Sequence, residues 1–163
     1  VPVALSYEYD PCDFLKAKEM QQKRDSETFK KSQADDLTNM QTGIFGYKGR
    51  VHFQTGPCIN EELEALRGLP KTEVFTQVST LIDKHIHRNY RLYPGNYVAC
   101  DLLNGTETFA GKYTPEEKKR FEAYLQKKLD LIQLPNKDED FLRQRILTMY
   151  ANPAINHLKA IAQ

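Results

Sequence analysis

The sequence predicts an α/β fragment that is predominantly helical, with two short strands and a C-terminal helical extension. The chain begins with an alternating apolar segment that leads directly into helix-start signals, which is typical of α/β proteins. A second alternating segment lies at residues 50–54. Beyond residue 60, apolar residues recur at three and four residue steps, which predicts packed helices. Two strands are too few for a sheet that is stable alone.

The first strand and the first helix adjoin each other. The residues at alternate positions are apolar or aromatic, with the period of two expected for a strand: Val1, Val3, Leu5 and Tyr7. No initiator methionine precedes them, so we expect this strand to belong to the middle of a larger domain. Asp10 is predicted as the N-cap and Pro11 as the first helical residue. This helix should run to about Asp25.

The next segment predicts a polar surface helix and the second strand. A helix is expected from Glu27 toward Gln41. It should lie at the surface, because its apolar residues are few. Glycines at 43, 46 and 49 then favour turns. The second strand covers residues 50–54 and ends at Gly56-Pro57. We therefore divide the chain into an α/β part, residues 1–60, and a helical extension, residues 61–163.

The extension contains several predicted helices. Asn60 should cap a short helix and Thr72 a longer one. The longer helix carries an apolar stripe that predicts a core face: Val74, Val78, Leu81, Ile82, His85 and Ile86. Residues 97–103 fit a strand or a helix by periodicity, and the following Asn104-Gly105 favours a helix.

Two further helices follow. Thr114 and Glu117 form a capping box, and the helix behind them buries a second stripe from Phe121 to Ile132. A last helix is predicted from about Asp138, and Pro153 should kink or stop it.

Charge and cysteine usage exclude several classes of function. The 23 basic and 22 acidic residues leave a formal net charge of +1, which argues against a nucleic-acid partner. No apolar run approaches the roughly 20 residues needed to span a bilayer. The three cysteines lack the spacing of a zinc site and fit free, buried thiols in a reducing compartment. The sequence therefore predicts no metal.

The histidines do not form a recognisable catalytic or metal motif. His85 and His87 are two residues apart on a predicted helix, so their side chains point to different sides. His85 is expected to pack on the apolar stripe and His87 to face solvent. No phosphate-binding loop or nucleophile-elbow motif occurs. We predict no cofactor and no catalytic residue in this chain.

The best site candidate is the segment Tyr7-Glu8-Tyr9-Asp10. It follows the first strand, and ligands of α/β sheets gather beyond the carboxyl ends of strands. Packing of these tyrosines around a helix N-terminus explains the segment equally well.

Two short motifs resemble those of the glycerolipid acyltransferase family, which includes the lysophosphatidate acyltransferases. Val1-Pro2-Val3 matches a family strand with a central proline. Gly49, Val51 and Gly56 fit a later strand of the form G-x-V-x-V-x-F-G-x-P-I. The match departs at Pro57, which is one place early, with Cys58 where the family usually has proline. The helical remainder is similar to an extension found in some bacterial members.

The resemblance implies transfer of an acyl chain from acyl-CoA or acyl carrier protein to a glycerophospholipid precursor. The family's HxxxxD motif and its FPEG-type phosphate-binding block do not occur in this sequence. Both would precede residue 1, so the chain alone is expected to be inactive. The strand at residues 1–5 would form the apolar core or the acyl-side wall. The implied substrate-binding candidates are Val1, Pro2, Val3, Tyr7 and Glu8.

A noncatalytic helical interaction module is the alternative, with the stripes at 74–86 and 121–132 as its partner surface. The exposed first strand also predicts a homodimer, since an unpaired apolar edge recruits another chain. For the intact acyltransferase, the expected location is the cytoplasm, including a peripheral position at the inner face of the membrane.

Overall fold

The computed structural model describes residues 1–162 and is mostly helical, which confirms the expected fold class. Its strands and helices follow in chain order: β1 (Val3–Tyr7), α1 (Asp13–Asp25), α2 (Gln33–Phe45), β2 (Val51–Thr55), α3 (Asn60–Glu64), α4 (Lys71–Asn89), α5 (Pro94–Asn104), a 3₁₀ turn (Ala110–Lys112), α6 (Pro115–Asp130) and α7 (Glu139–Ile161).

The two strands form an antiparallel sheet with one covered face and one open face. Ala4 and Ser6 are buried, and Ser6 Oγ accepts a hydrogen bond of 2.9 Å from the backbone N–H of Arg91, just beyond α4. Leu5 lies opposite Phe53 in the register, and their side chains share the other face. Leu5 is 38% exposed and Phe53 is 67% exposed. Val3 and Val51 are also exposed on this face, so the open face is apolar.

The hydrophobic core lies among the last helices rather than at the sheet. Helix α7 contacts α1, α4, α5 and α6 and so occupies the centre. The largest fully buried apolar side chains come from α5, α6, α7 and the residues that follow α6: Val98, Leu125, Leu129, Ile132, Leu142 and Ile146. The stripe predicted on α6 is thus packed inside the chain's own core.

The stripe predicted on α4 is only half-buried. Every residue from Val74 to Ile86 that was assigned to it retains partial exposure. Helix α4 contacts α7 and β1, and these elements cover one side of it. The periodicity correctly identified the inward side of α4, but a two-stranded sheet offers too little surface to bury it completely.

Several boundaries differ from the sequence expectations: α3 and α4 begin after Ile59 and Pro70, so Asn60 and Thr72 are helical residues rather than caps. Helix α1 begins at Asp13, because Asp10 Oδ1 accepts the N–H of Cys12 at 2.9 Å in a turn before the helix. Helix α2 begins at Gln33 rather than Glu27, because Ser32 and Asp35 cap each other's backbone N–H groups. Helix α7 continues through Pro153.

Other expectations are confirmed. Residues 97–103 are helical within α5, which ends at Gly105 in a left-handed conformation with φ of 63°. Thr114 and Glu117 form the capping box at the start of α6.

Candidate functional site

The substrate-binding candidates at the start of the chain lie on the open sheet. Val1 and Val3 are exposed, whereas Pro2 is buried. The N–H of Gly56 donates to the carbonyl of Pro2 at 2.8 Å, so the two motif segments are joined beyond the end of β2. Val1 and Val3 therefore contribute to an open apolar surface.

Glu8, another candidate, is held in an ion pair with Arg50. Arg50 Nε donates to Glu8 Oε2 at 3.0 Å and Nη2 donates to Oε1 at 3.0 Å. The backbone N–H of Arg50 also donates to Oε2 at 3.0 Å. Burial alone would raise the pKa of Glu8, but the Arg50 hydrogen bonds and charge lower it overall. Ionised Glu8 thus links the end of β1 to the residue that precedes β2.

The remaining candidate, Tyr7, lines a small cavity of about 110 Å³. Tyr90 and Tyr150 line the same cavity, together with residues of α5 and α7. This space is too small for a lipid or a nucleotide, since ligand pockets usually exceed about 300 Å³. The predicted set Val1, Pro2, Val3, Tyr7 and Glu8 is therefore distributed over a sheet face, an ion pair and a small cavity.

A buried carboxylate at the start of α1 joins several helices through hydrogen bonds. Asp13 is fully buried at the start of α1. Its Oδ2 accepts hydrogen bonds from the hydroxyls of Tyr124 at 2.5 Å and Tyr150 at 2.8 Å. Its Oδ1 accepts the N–H of Phe14 at 2.7 Å and lies 3.2 Å from Lys128 Nζ. One carboxylate therefore ties α1 to both α6 and α7.

The two tyrosines act as hydrogen-bond donors in this cluster. Burial and the negative charge of Asp13 raise the pKa of both Tyr124 and Tyr150 above the ordinary value of 10.0. Their hydroxyls consequently stay protonated at neutral pH. Because Asp13 has no exposed side-chain surface, it cannot reach a substrate in solvent. The cluster is suited to fixing positions rather than to transferring protons.

A large apolar cavity lies next to this cluster and has a volume of about 620 Å³. One wall is the outer face of α6 and the residue after it, with Arg120, Ala123, Tyr124, Lys127, Lys128 and Leu131. The opposite wall comes from the start of α1 and the end of α2, with Tyr9, Pro11, Phe14, Thr42, Gly46 and Tyr47. Its volume falls within the range of small-molecule sites, about 300 to 1,000 Å³.

Aromatic rings shape this cavity. The ring of Tyr9 stacks against Tyr47 with centroids 5.9 Å apart and lies 4.4 Å from the ring of Tyr124. Lys128 Nζ lies 4.9 Å from the centre of the Phe14 ring, a cation–π distance. Tyr9 belongs to the segment singled out from the sequence, whereas the wall residues of α6 were assigned to a helix and Gly46 to a turn.

Sequence reasoning missed the Asp13 cluster because its members are far apart in the chain. Asp13 is 111 residues from Tyr124 and 137 residues from Tyr150. An acidic residue in the first turn of a helix is explained by the helix dipole, and a tyrosine on an apolar stripe is explained by packing, so neither residue type signals such a cluster by itself. The only signal available was a polar hydroxyl on each otherwise buried stripe, since a buried Tyr needs a hydrogen-bond partner.

The histidines lie apart from these features, whereas Cys12 directly precedes Asp13. His157 Nδ1 donates to the carbonyl of His87 at 2.9 Å, which joins α7 to α4. The cysteines at positions 12, 58 and 100 are free thiols, but only Cys100 is buried; Cys12 is half-buried and Cys58 is exposed, so the expected burial is wrong for these two. Within residues 1–162, no group of three or more His, Cys, Asp or Glu side chains is placed to hold a metal ion.

Comparison with protein-family models, curated proteins and solved structures finds no match to this chain. Among the helices that the structure describes, none has the length and apolar character required to cross a membrane.

Proposed function

We propose that this chain is the C-terminal portion of an acyltransferase of the glycerolipid type. The intact enzyme would move an acyl chain from acyl-CoA or acyl carrier protein to a glycerophospholipid precursor. The general base and the phosphate-binding block would lie upstream of residue 1. This chain would contribute part of the sheet and a helical extension.

The observation that carries the proposal is the pairing of the two motif segments. The family-like residues at 1–3 and 49–56 are separated by more than forty residues, yet β1 and β2 pair along their whole length. The Gly56 to Pro2 hydrogen bond extends this pairing beyond β2. Gly49, with φ of 64°, lies beside Glu8, where an added Cβ would come within 2.7 Å of Oε2. The residues that carry the resemblance therefore form one structural unit.

The open face of the sheet also supports the proposal. Val3, Leu5, Val51 and Phe53 form a continuous apolar surface across both strands. Among residues 1–162, β1 pairs with β2 and with no other strand. Additional strands and apolar side chains from an upstream half would cover both the face and the edge.

The helical interaction module has less surface available than its sequence suggested. The stripe from Phe121 to Ile132 packs in the core, so it is not presented to a partner. The α4 stripe is half-buried by α7 and β1. An interaction function would therefore depend on the outer parts of α4.

The first test is the coding sequence upstream of residue 1. The acyltransferase proposal requires an HxxxxD motif followed by an FPEG-like block in the same reading frame. An upstream region that lacks either motif would refute the proposal. The biochemical counterpart is acyl transfer by the extended protein, with this chain alone expected to be inactive.

A further inference from the structure

The large cavity between α6 and the start of α1 and end of α2 has mainly apolar walls and carries positive charge. Among its lining residues, three are cationic and none is acidic: Arg120, Lys127 and Lys128. The others are aromatic, aliphatic or small, apart from Thr42. We propose that this cavity binds a free single-chain amphiphile with an anionic head group, such as an alkyl phosphate or a fatty acid.

The positions along α6 explain why these side chains share one wall. Residues 120, 123, 124, 127, 128 and 131 recur at steps of three and four, so they fall on one face of the helix. The same face that contributes the apolar surface of Ala123 and Tyr124 thus carries the cations. An amphiphile with an anionic end matches that combination.

The three cations are not equivalent. Lys128 is largely buried, lies 3.2 Å from Asp13 and donates to the carbonyl of Pro11 at 3.4 Å. Its charge is already matched. Arg120 and Lys127 are exposed, and within residues 1–162 neither has a carboxylate within ion-pair distance. Lys127 is therefore available to an anionic head group at the rim, and Arg120, which also lies near Glu8, adds positive charge there.

The cavity walls favour a chain over a compact polar ligand. Tyr9, Phe14 and Tyr124 provide aromatic surface, and Leu131 provides aliphatic surface. The Asp13 cluster holds Tyr124 and Lys128 in place, so this side of the cavity is formed before a ligand binds. The site does not depend on the proposed acyltransferase activity and can be tested in this chain.

The test is calorimetric titration of the full chain with decyl phosphate below its micelle concentration. Decyltrimethylammonium has the same chain with the opposite charge, and inorganic phosphate has a related head group without the chain. We expect saturable binding of decyl phosphate at one site. Decyltrimethylammonium should bind at least roughly tenfold more weakly than decyl phosphate, and inorganic phosphate should give no measurable heat.

Variants locate the site. Ala123→Phe places a large ring at an exposed wall position and should abolish binding without unfolding the chain. Arg120→Glu and Lys127→Glu should each weaken binding roughly tenfold, because each replaces an attractive charge by a repulsive one. Lys119→Glu is the matched control: it makes the same charge change on α6 at an exposed residue outside the cavity, and binding should be unchanged. Thermal melting establishes that each variant is folded.

The contrary results are equally definite. Equal binding of the cationic amphiphile, or full binding by folded Ala123→Phe, would overturn the proposal. Binding that Lys119→Glu weakens as much as Lys127→Glu would show a nonspecific charge effect and also overturn it. Flotation with phosphatidylglycerol vesicles provides a further arm: vesicle binding without binding of decyl phosphate would point to a membrane surface instead of a free amphiphile.

Discussion

At the scale of single residues, the arrangement around Asp13 holds three helices together. The carboxylate accepts two tyrosine hydroxyls and lies beside Lys128, and the hydroxyl of Tyr150 in turn accepts the N–H of Asp10 at 2.9 Å. Such a group contributes to stability through its full set of partners, because an unmatched buried polar atom is unfavourable. Removing its charge should therefore affect the fold as a whole.

The first prediction is that Asp13→Asn destabilises the chain. The amide would direct N–H donors toward neighbours that are themselves donors, and Lys128 would lose its negative partner. We expect a loss of roughly 3 kcal/mol in the free energy of unfolding, measured by urea denaturation. Asp83→Asn is the control at an exposed position and should change stability by less than about 0.5 kcal/mol. Equal stability of the two variants would contradict the role given to Asp13.

The second prediction concerns Glu8 and acid stability. Its pKa in the folded chain lies below the ordinary value of 4.5, since the hydrogen bonds from Arg50 outweigh the opposing effect of burial. A lowered folded pKa contributes stability above the unfolded pKa, and that contribution is lost as the pH falls through the folded pKa.

Glu8→Gln should therefore be less stable than the wild type at pH 7, and the difference should shrink on acidification from about pH 5 to about pH 3. Urea denaturation at several pH values measures it. Glu116→Gln at an exposed position is the control. A stability difference that grows on acidification would contradict the assigned ion pair.

At the scale of elements, helix ends are set by local chemistry that can be isolated by substitution. Gly105 ends α5 with φ of 63°, while an added Cβ there would meet no atom within 4 Å. Gly111 also has open space around it, but its φ is not positive. The pair therefore separates backbone conformation from steric contact.

The third prediction is that Gly105→Ala destabilises the chain by about 1 to 2 kcal/mol, because an L residue is strained in the left-handed region. Gly111→Ala should be neutral or slightly stabilising, since alanine restricts the unfolded chain. Thermal or urea unfolding of both variants gives the comparison. A larger loss for Gly111→Ala than for Gly105→Ala would contradict the role given to the backbone conformation of Gly105.

The elements also show how far the sequence could be interpreted. The α6 capping box and the Asn104-Gly105 helix end were predictable because their signals lie within a few residues. The start of α2 was placed too early, because the Ser32–Asp35 capping box inside the polar segment was overlooked. The half-burial of α4 was unpredictable, because periodicity identifies an inward side but not how much surface covers it.

The candidate site was less accessible to sequence reasoning than the fold. Tyr9 was identified because it follows a strand, and it does line the large cavity. Its partners on α6 and at the end of α2 could not be assigned without knowing which helices meet. The Asp13 cluster likewise depends on contacts across more than 100 residues.

At the scale of the whole molecule, the open sheet predicts self-association. Val3 is 48% exposed, and the edge of β1 away from β2 pairs with no other strand of the described chain. Sedimentation velocity at micromolar concentration should therefore show a dimer, the simplest closed assembly.

Leu5→Lys should shift the chain toward the monomer by placing a charge on the sheet face. Leu158→Lys is a matched control, because Leu5 and Leu158 are each 38% exposed and Leu158 lies on α7. A wild-type monomer, or equal dissociation by both variants, would contradict association through the sheet.

We propose that β1 and β2 belong to an acyltransferase whose catalytic half lies upstream. The most direct measurement is transfer of a radiolabelled acyl chain to lysophosphatidate, with acyl-CoA and acyl carrier protein tested separately as donors. We expect transfer by the upstream-extended protein, loss of transfer when the histidine of its HxxxxD motif is replaced by alanine, and no transfer by residues 1–163 alone. Transfer by residues 1–163 alone, or an extended protein inactive with both donors, would contradict the proposal.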